Sequence, residues 1–390
     1  MTRSRPGRHF LQIPGPTNLP ERVTRALSRP SIDHRGTECA SLTLSILERL
    51  QEVFQTGGPV IIYPSAGHGG WEAALVNTLS PGDRVLFGTN GQFAAFWTKV
   101  AAGLGLTVEE LQGDWRCPLD LAALEKRLAA DSGREIRALA IVHNETSTGV
   151  VNDVAGARAV LDRTGHDALL LVDVVSSIGA MDYRHDEWGV DVTVAGSQKG
   201  LMIPPGLGFN AVSSKALAAA ETARLPRAYW NWGPILEFNA RGFYPYTPAT
   251  NLLFGLDEAL SMLLEEGLPQ VFARHLRLAE ATRQAVRGWG LEVFCRDPDA
   301  YSPALTAIEM PKGYDSDELR RVILERFDMS LGTGLGQVKG KVFRIGHLGD
   351  LNALTLAGTL CGVEMGLAAC GVPHKSEGVS QALAFLAKGQ

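Results

Sequence analysis

The chain has 390 residues, and 37 Lys and Arg against 42 Asp and Glu leave a formal net charge of −5, which excludes a protein built to neutralise nucleic-acid phosphates or an anionic membrane surface. With 45% hydrophobic and 20% charged residues, the composition is that of a folded globular protein and not of a disordered one. The length allows about two or three domains, and no apolar run reaches the roughly 20 residues that span a bilayer.

Residues 1–20 are rich in Pro and Gly and read as an extended arm. Their basic start (Arg3, Arg5, Arg8, His9) leads into Pro14-Gly15-Pro16, without the apolar stretch of a signal peptide. Leu42, Ile46, Leu50, Val53 and Phe54 share one face of a helix predicted over 39–55. Short apolar runs rich in β-branched residues follow at 60–63, 85–87, 138–142, 169–172 and 192–194, too short for helices. Segments of helical length, such as 119–130 and 154–163, lie between them. This alternation predicts an α/β fold with a mainly parallel sheet covered on both faces. Residues 251–287 read as one helical stretch joining two domains, carrying Leu260, Leu263, Leu264, Phe272 and Leu276. Strands over 291–294, 305–309 and 342–345, with helices over 316–326 and 351–370, then predict a smaller α/β domain. The expected division is an arm over 1–20, a large domain over 21–260 and a small domain over 261–390. Cys39, Cys117, Cys295, Cys361 and Cys370 lack the paired spacing of a disulfide framework or a zinc site, which fits a cytoplasmic enzyme.

In an open parallel sheet, ligands gather at the carboxyl ends of the strands, and the apolar runs here end in small and polar residues. Pro64-Ser65-Ala66-Gly67-His68-Gly69-Gly70-Trp71-Glu72 precedes a helical pattern. A glycine-rich helix start can present backbone N–H groups to an anion, although a plain strand–helix turn looks the same. It is neither a Walker loop, lacking Lys-Ser or Lys-Thr, nor a dinucleotide fingerprint. Further on, Val172 runs into Asp173, and one strand later Gly196-Ser197-Gln198-Lys199-Gly200 follows Val194-Ala195. A strand-end Asp is often a helix cap and a lone Lys is usually solvated. Lys199, however, is followed by the apolar Leu201-Met202-Ile203-Pro204-Pro205, a setting that lowers an amine's pKa and makes it nucleophilic toward a carbonyl.

With these residues, the sequence resembles the class V aminotransferases dependent on pyridoxal phosphate, in the branch of the alanine–glyoxylate and serine–glyoxylate enzymes. The resemblance covers nearly the whole chain. It rests on Pro14-Gly15-Pro16-Thr17-Asn18, Asp33-His34-Arg35, Ser65 to Gly70, Glu145-Thr146-Ser147-Thr148-Gly149, Asp173 with Ser176-Ser177, Gly196-Ser197-Gln198-Lys199, Tyr244-Pro245-Tyr246-Thr247-Pro248 and Arg344-Ile345-Gly346. The fold it implies is aspartate-aminotransferase-like (type I), with a mainly parallel seven-stranded sheet in the large domain.

The resemblance implies a role for each matching position. Lys199 joins the cofactor aldehyde covalently and later moves the proton at the substrate α-carbon. Asp173 keeps the pyridine nitrogen protonated. Phe93 stacks on one face of the ring, where relatives often carry Trp, and Val175 presses the other. Ser65, Ala66, Gly67, His68 and Gln198 hold the phosphate, with Tyr244 and Thr247 reaching it from a neighbouring subunit, so the implied state is a homodimer or higher homo-oligomer with shared sites. Thr146 lies beside the phenolic oxygen and the substrate, and the arm closes over the pocket at Gly15. Arg344 grips the substrate carboxylate in a fork; otherwise an Arg among apolar neighbours reads as half of a salt bridge.

The implied reaction is a ping-pong transamination from a small amino acid to a 2-oxo acid. L-Serine and glyoxylate are the first expectation, on the resemblance of 239–253 to the serine–glyoxylate enzymes. Aspartate is the alternative, with Arg35 or Arg241 meeting its second carboxylate, and alanine is third. A lyase or desulfurase on the same fold would need a Cys near 328–340, and none occurs there. No metal, nucleic-acid or membrane partner is expected: His143, His347 and the other histidines lack metal-ligand spacing, and Trp230, Trp232 and Arg241 read as pocket shape or packing.

Overall fold

The computed structural model describes residues 6–388, so Arg3 and Arg5 of the basic start lie outside the described residues. Its larger sheet has seven strands in the spatial order Val60–Ser65, Gly206–Val212, Val192–Gly196, Leu169–Asp173, Ile136–Val142, Arg84–Thr89 and Thr107–Gln112. Gly206–Val212 runs antiparallel to both neighbours, and the remaining pairs are parallel. Alternate residues of Leu169–Asp173 divide between the faces: Leu170 and Val172 join a core with Ile46, Leu50 and Phe54, while Leu169 and Leu171 join Ile61, Trp71 and Trp97. Burial on both faces is why these strands read as continuous apolar runs.

Two of the seven strands differ from the sequence expectation. Thr107–Gln112 is a polar edge strand with no fully buried residue, so it carries no apolar run. Gly206–Val212 is broken up by Gly206 and Gly208, and at Gly208 a Cβ would stand 2.8 Å from the main-chain oxygen of Ala66. The helical stretch expected over 251–287 is two helices, Thr250–Glu266 and Leu268–Trp289. Gly267, at φ +84, turns the chain between them and Pro269 fits the first turn of the second helix.

The second sheet has five strands in the order Phe10–Gln12, Met329–Thr333, Val342–Gly346, Leu305–Glu309 and Glu292–Val293. Residues 10–12, read from sequence as extended arm, pair in parallel with Met329–Thr333. The chain then crosses to the first sheet. Gly332 and Gly346 clear its path: a Cβ on Gly332 would lie 2.7 Å from Pro14, and one on Gly346 would lie 2.2 Å from the carbonyl of Ile13. Thr17 anchors the far end, its N–H donating to Gln198 O at 3.0 Å and its hydroxyl to Lys199 O at 3.0 Å.

Candidate active site

Asp173 ends one strand, Val142 ends its parallel neighbour on one side, and Gly196 ends the neighbour on the other. The loops after these strands therefore meet at one edge of the sheet. There Gly15, Ala66, Gly67, His68, Phe93, Thr146, Asp173, Val175, Gln198 and Lys199, all predicted from sequence, line one cavity of about 140 Å³ together with Trp71 and Val142.

Lys199 is 8% exposed, and its Nζ donates to the carbonyl of Pro14. Burial pushes its amine down to about 7, the nearby cation of Arg344 adds to the shift, and Asp173 opposes it. Gly15, at φ +104, lies so close that a Cβ would fall 2.2 Å from Lys199 Cδ. Asp173 is 3% exposed. Its Oδ1 accepts the Val175 N–H at 2.7 Å and its Oδ2 accepts the Trp71 indole N–H at 2.6 Å. Burial pushes its carboxyl up to about 7; these two hydrogen bonds pull the other way, Glu145 adds to the rise and Lys199 opposes it.

Helix Gly67–Thr78 opens on this cavity with no side chain capping its start, which leaves N-terminal N–H groups available to an anion. The N–H of Gly67 and the Oε1 of Gln198 converge there: a Cβ on Gly196 would lie 3.5 Å from the first and 3.0 Å from the second. That Oε1 is buried and has no hydrogen-bond partner among the described residues. Gly67 also brings the helix against Val175, whose Cγ2 would be 2.7 Å from a Cβ at Gly67. Ser65 ends the adjoining strand, beside Gly69.

The opposite wall is built around residues 144–147. The Thr146 hydroxyl donates to Ser176 Oγ at 2.6 Å, and Ser176 in turn donates to Asn144 O. Glu145, fully buried, accepts N–H groups of Phe93 and Ala94 and both the N–H and hydroxyl of Ser147. It thus serves as a distant cap for helix Gln92–Gly103 and sets the position of Phe93. Burial raises its carboxyl pKa against those hydrogen bonds.

Arg344 reaches this wall from strand Val342–Gly346 of the second sheet. It is 6% exposed, with Nε donating to Thr333 O at 2.8 Å and Nη1 to Thr146 O at 2.7 Å. Burial pushes it down to about 10 while Glu145 opposes the shift. Among the described residues its guanidinium forms no ion pair with a carboxylate, so the salt-bridge reading of this residue falls.

Several predicted residues sit apart from the cavity. Tyr244 is buried in its own chain close to Cys39 and Thr43 of helix Thr37–Phe54, and Thr247 is exposed. Arg35 and Arg241 are exposed, the latter over the ring of Phe238. His143 bonds Ser177 through Nδ1, and His347 is held between Thr306 and Pro303. Sequence reasoning assigned no role to Trp71, Asn144, Glu145 or Ser176. Helical periodicity was the available signal for Trp71, four positions after Gly67; Asn144 and Glu145 form a two-residue strand and Ser176 lies in a turn, too short to carry a period. Among the described residues all five cysteines are free, and no helix is long and apolar enough to cross a membrane.

The family model for aminotransferase class V matches residues 9–338. The chain is 47% identical to a serine–glyoxylate aminotransferase of Methylorubrum extorquens over 98% of this chain and 97% of that one. It is also 47% identical to an L-aspartate–glyoxylate aminotransferase of Paracoccus denitrificans, over 93% and 91%. The structure of pyridoxamine–pyruvate aminotransferase from Mesorhizobium loti superposes with a TM-score of 0.91 at 28% identity, covering 99% of this chain and 98% of that one. Enzymes of this class use pyridoxal phosphate, and the cavity suits it: an uncapped helix start for a phosphate, a buried carboxylate for a ring nitrogen, and a desolvated amine for an aldehyde. The chain belongs to the class V aminotransferases and is a pyridoxal-phosphate-dependent enzyme of the aspartate-aminotransferase-like fold.

Proposed function

We propose that the protein moves the amino group of L-serine to glyoxylate in a ping-pong cycle, yielding hydroxypyruvate and glycine. The observation that carries this reading is Arg344: a buried guanidinium oriented by two main-chain oxygens and lacking a carboxylate partner among the described residues, in a site it shares with Lys199. Such a group is completed by a ligand carboxylate, which donor and acceptor both bring. Relatives named serine–glyoxylate aminotransferase, at 47%, 46% and 45% identity, support the serine donor. The aspartate reading has its own support in the 47% identical L-aspartate–glyoxylate relative. Aspartate would bring a second carboxylate, and besides Lys199 and Arg344, which reaches the cavity wall at Thr146, no Lys or Arg among the described residues stands at the cavity to meet it. That favours the smaller, uncharged side chain.

The chemistry supplied by pyridoxal phosphate when bound is an aldehyde for the donor's amine and a ring that accepts the electron pair freed at the α-carbon. Lys199, whose amine burial holds down to about 7, would take the α-proton on Nζ and later return one. Asp173, as the anion, would hold a proton at the ring nitrogen. Phe93 and Val175 would orient the ring, Thr146 would offer it a hydroxyl, and Ser65, Ala66, Gly67, His68 and Gln198 would receive the phosphate. Gly15 and the carbonyl of Pro14 close the pocket above Lys199 and exclude water.

The same reading makes the enzyme a homodimer, with Tyr244 and Thr247 completing the phosphate site of the partner. The exposure of Thr247 outside the cavity of its own chain supports this. It divides the chain into an arm over 1–20, a large domain over 21–260 and a small one over 261–390, supported by the two separate sheets. Free cysteines support a cytoplasmic home.

The test is a half-reaction. The loaded enzyme is mixed with L-serine, L-aspartate or L-alanine without acceptor, and conversion of the cofactor from its aldehyde to its amine form is followed by absorbance. Fastest conversion by serine is the expected result. Fastest conversion by aspartate would replace serine as the donor and make Arg35 and Arg241 the next residues to substitute.

A further inference from the structure

We propose that Trp71 is a positioning residue for the reaction, its indole N–H fixing the Asp173 carboxylate where it would meet the ring nitrogen of the cofactor. This rests on the reading of Asp173 as the partner of the ring nitrogen.

The geometry is specific. Trp71 is 1% exposed, and its Nε1 lies 2.6 Å from Asp173 Oδ2. The other oxygen is tied to the backbone at Val175. With one lone pair of each oxygen occupied, the plane of the carboxylate is set and its remaining acceptor positions face the cavity. An indole N–H donates and never accepts, so it favours the anion, whose oxygens are the stronger acceptors; a hydroxyl or imidazole there could accept from the protonated acid as well. The ring packs beside His68 at 4.3 Å and on the face of Trp97, centroids 5.7 Å apart, a stacking face that a Phe at position 97 would keep. Gly70, where a Cβ would meet Val194 at 2.8 Å, lets the helix press close enough for the indole to reach. The charged groups facing Asp173 oppose one another, Lys199 favouring the anion and Glu145 disfavouring it, while His143 donates its N–H to the Asp173 main chain and His68 packs on Trp71. The two hydrogen bonds are what remain to hold the buried anion.

The experiment compares binding of pyridoxal phosphate to apoprotein, by equilibrium dialysis across pH, in the native chain, Trp71→Phe, Asp173→Asn, the double variant and Trp97→Phe. Trp97 is the packing control, since its Nε1 is buried without a hydrogen-bond partner among the described residues. The expected result is that Trp71→Phe weakens binding by roughly tenfold or more, the scale of a hydrogen bond to a charged group. Its acid fall-off should move to higher pH, Trp97→Phe should bind as the native chain does, and Trp71→Phe should add nothing on top of Asp173→Asn. Replacing Trp71 with benzothienylalanine, which keeps the ring and removes only the N–H, should repeat the loss, and it decides the matter if Trp71→Phe folds poorly. Native-like binding by the benzothienyl variant, or an equal loss from Trp97→Phe, overturns the proposal while leaving the Asp173 reading intact. Native-like binding by Asp173→Asn removes that reading and the proposal with it.

Discussion

Arg344 Nη1 donates to the main-chain oxygen of Thr146 at 2.7 Å, so the cation expected to meet the substrate carboxylate also ties the second sheet to the cofactor edge of the first. A planar fork can hold Thr333 O and Thr146 O at once and still offer a pair of N–H groups to a ligand carboxylate; an ammonium holding both oxygens keeps only one. Arg344→Lys should therefore raise the donor KM about tenfold to a hundredfold, the scale of losing a charge-assisted hydrogen bond. Steady-state kinetics with varied donor check this, and an unchanged KM would remove Arg344 from carboxylate binding.

Gly15 fits against Lys199 only because it has no side chain. Gly15→Ala would place a Cβ 2.2 Å from Lys199 Cδ at a φ of +104 that L residues rarely adopt. The amine must move, and a displacement of about 1 Å at the reacting group can cost on the order of a hundredfold in rate. The expected outcome is a kcat lower by about that factor with an unchanged circular dichroism spectrum.

The Lys199 amine is held down to about 7 by burial and then by the Arg344 cation. Only the neutral amine attacks an aldehyde, so the rate at which apoprotein captures pyridoxal phosphate covalently should rise as pH increases through about 7 and level off above it. Removing the neighbouring cation in Arg344→Gln should move that midpoint upward. For stability the sign follows from linkage: a lysine whose folded pKa lies below its unfolded value binds fewer protons when folded, so its contribution improves as pH rises from about 7 toward the ordinary lysine value of 10.5. Stopped-flow absorbance and urea titrations at several pH values measure the two effects.

Glu145 accepts hydrogen bonds from Phe93, Ala94 and Ser147 with no exposure to water. Glu145→Ala leaves those donors buried and unpaired, at about 1–3 kcal/mol for each, and should lower Tm more than Glu145→Gln, whose side-chain oxygen still accepts. Because Phe93 is among the freed donors, cofactor affinity should fall together with stability. Calorimetry and cofactor titration of both variants read this.

Strands buried on both faces were legible because each is an unbroken apolar run, and the cofactor edge was legible where small and polar residues interrupt those runs, at Ser65 to Gly70, Asp173 and Gln198-Lys199. Thr107–Gln112 and Phe10–Gln12 were not, since an edge strand has one neighbour and little apolar burial to mark it. The break at Gly267 was hidden by apolar periodicity that continues on both sides of it.

The sequence by itself determined the mainly parallel α/β architecture and singled out a Lys and an Asp at successive strand ends: periodicity is a local property of the chain, and residue types carry their chemistry with them. Only the tertiary structure decided who holds them. That Trp71 meets Asp173, that Glu145 caps a helix begun more than fifty positions earlier, and that Arg344 crosses to Thr146 depend on which polar atoms packing brings within 3 Å of one another. No local pattern encodes that, because those partners meet only once the two sheets and the segment between them have closed around the same cavity.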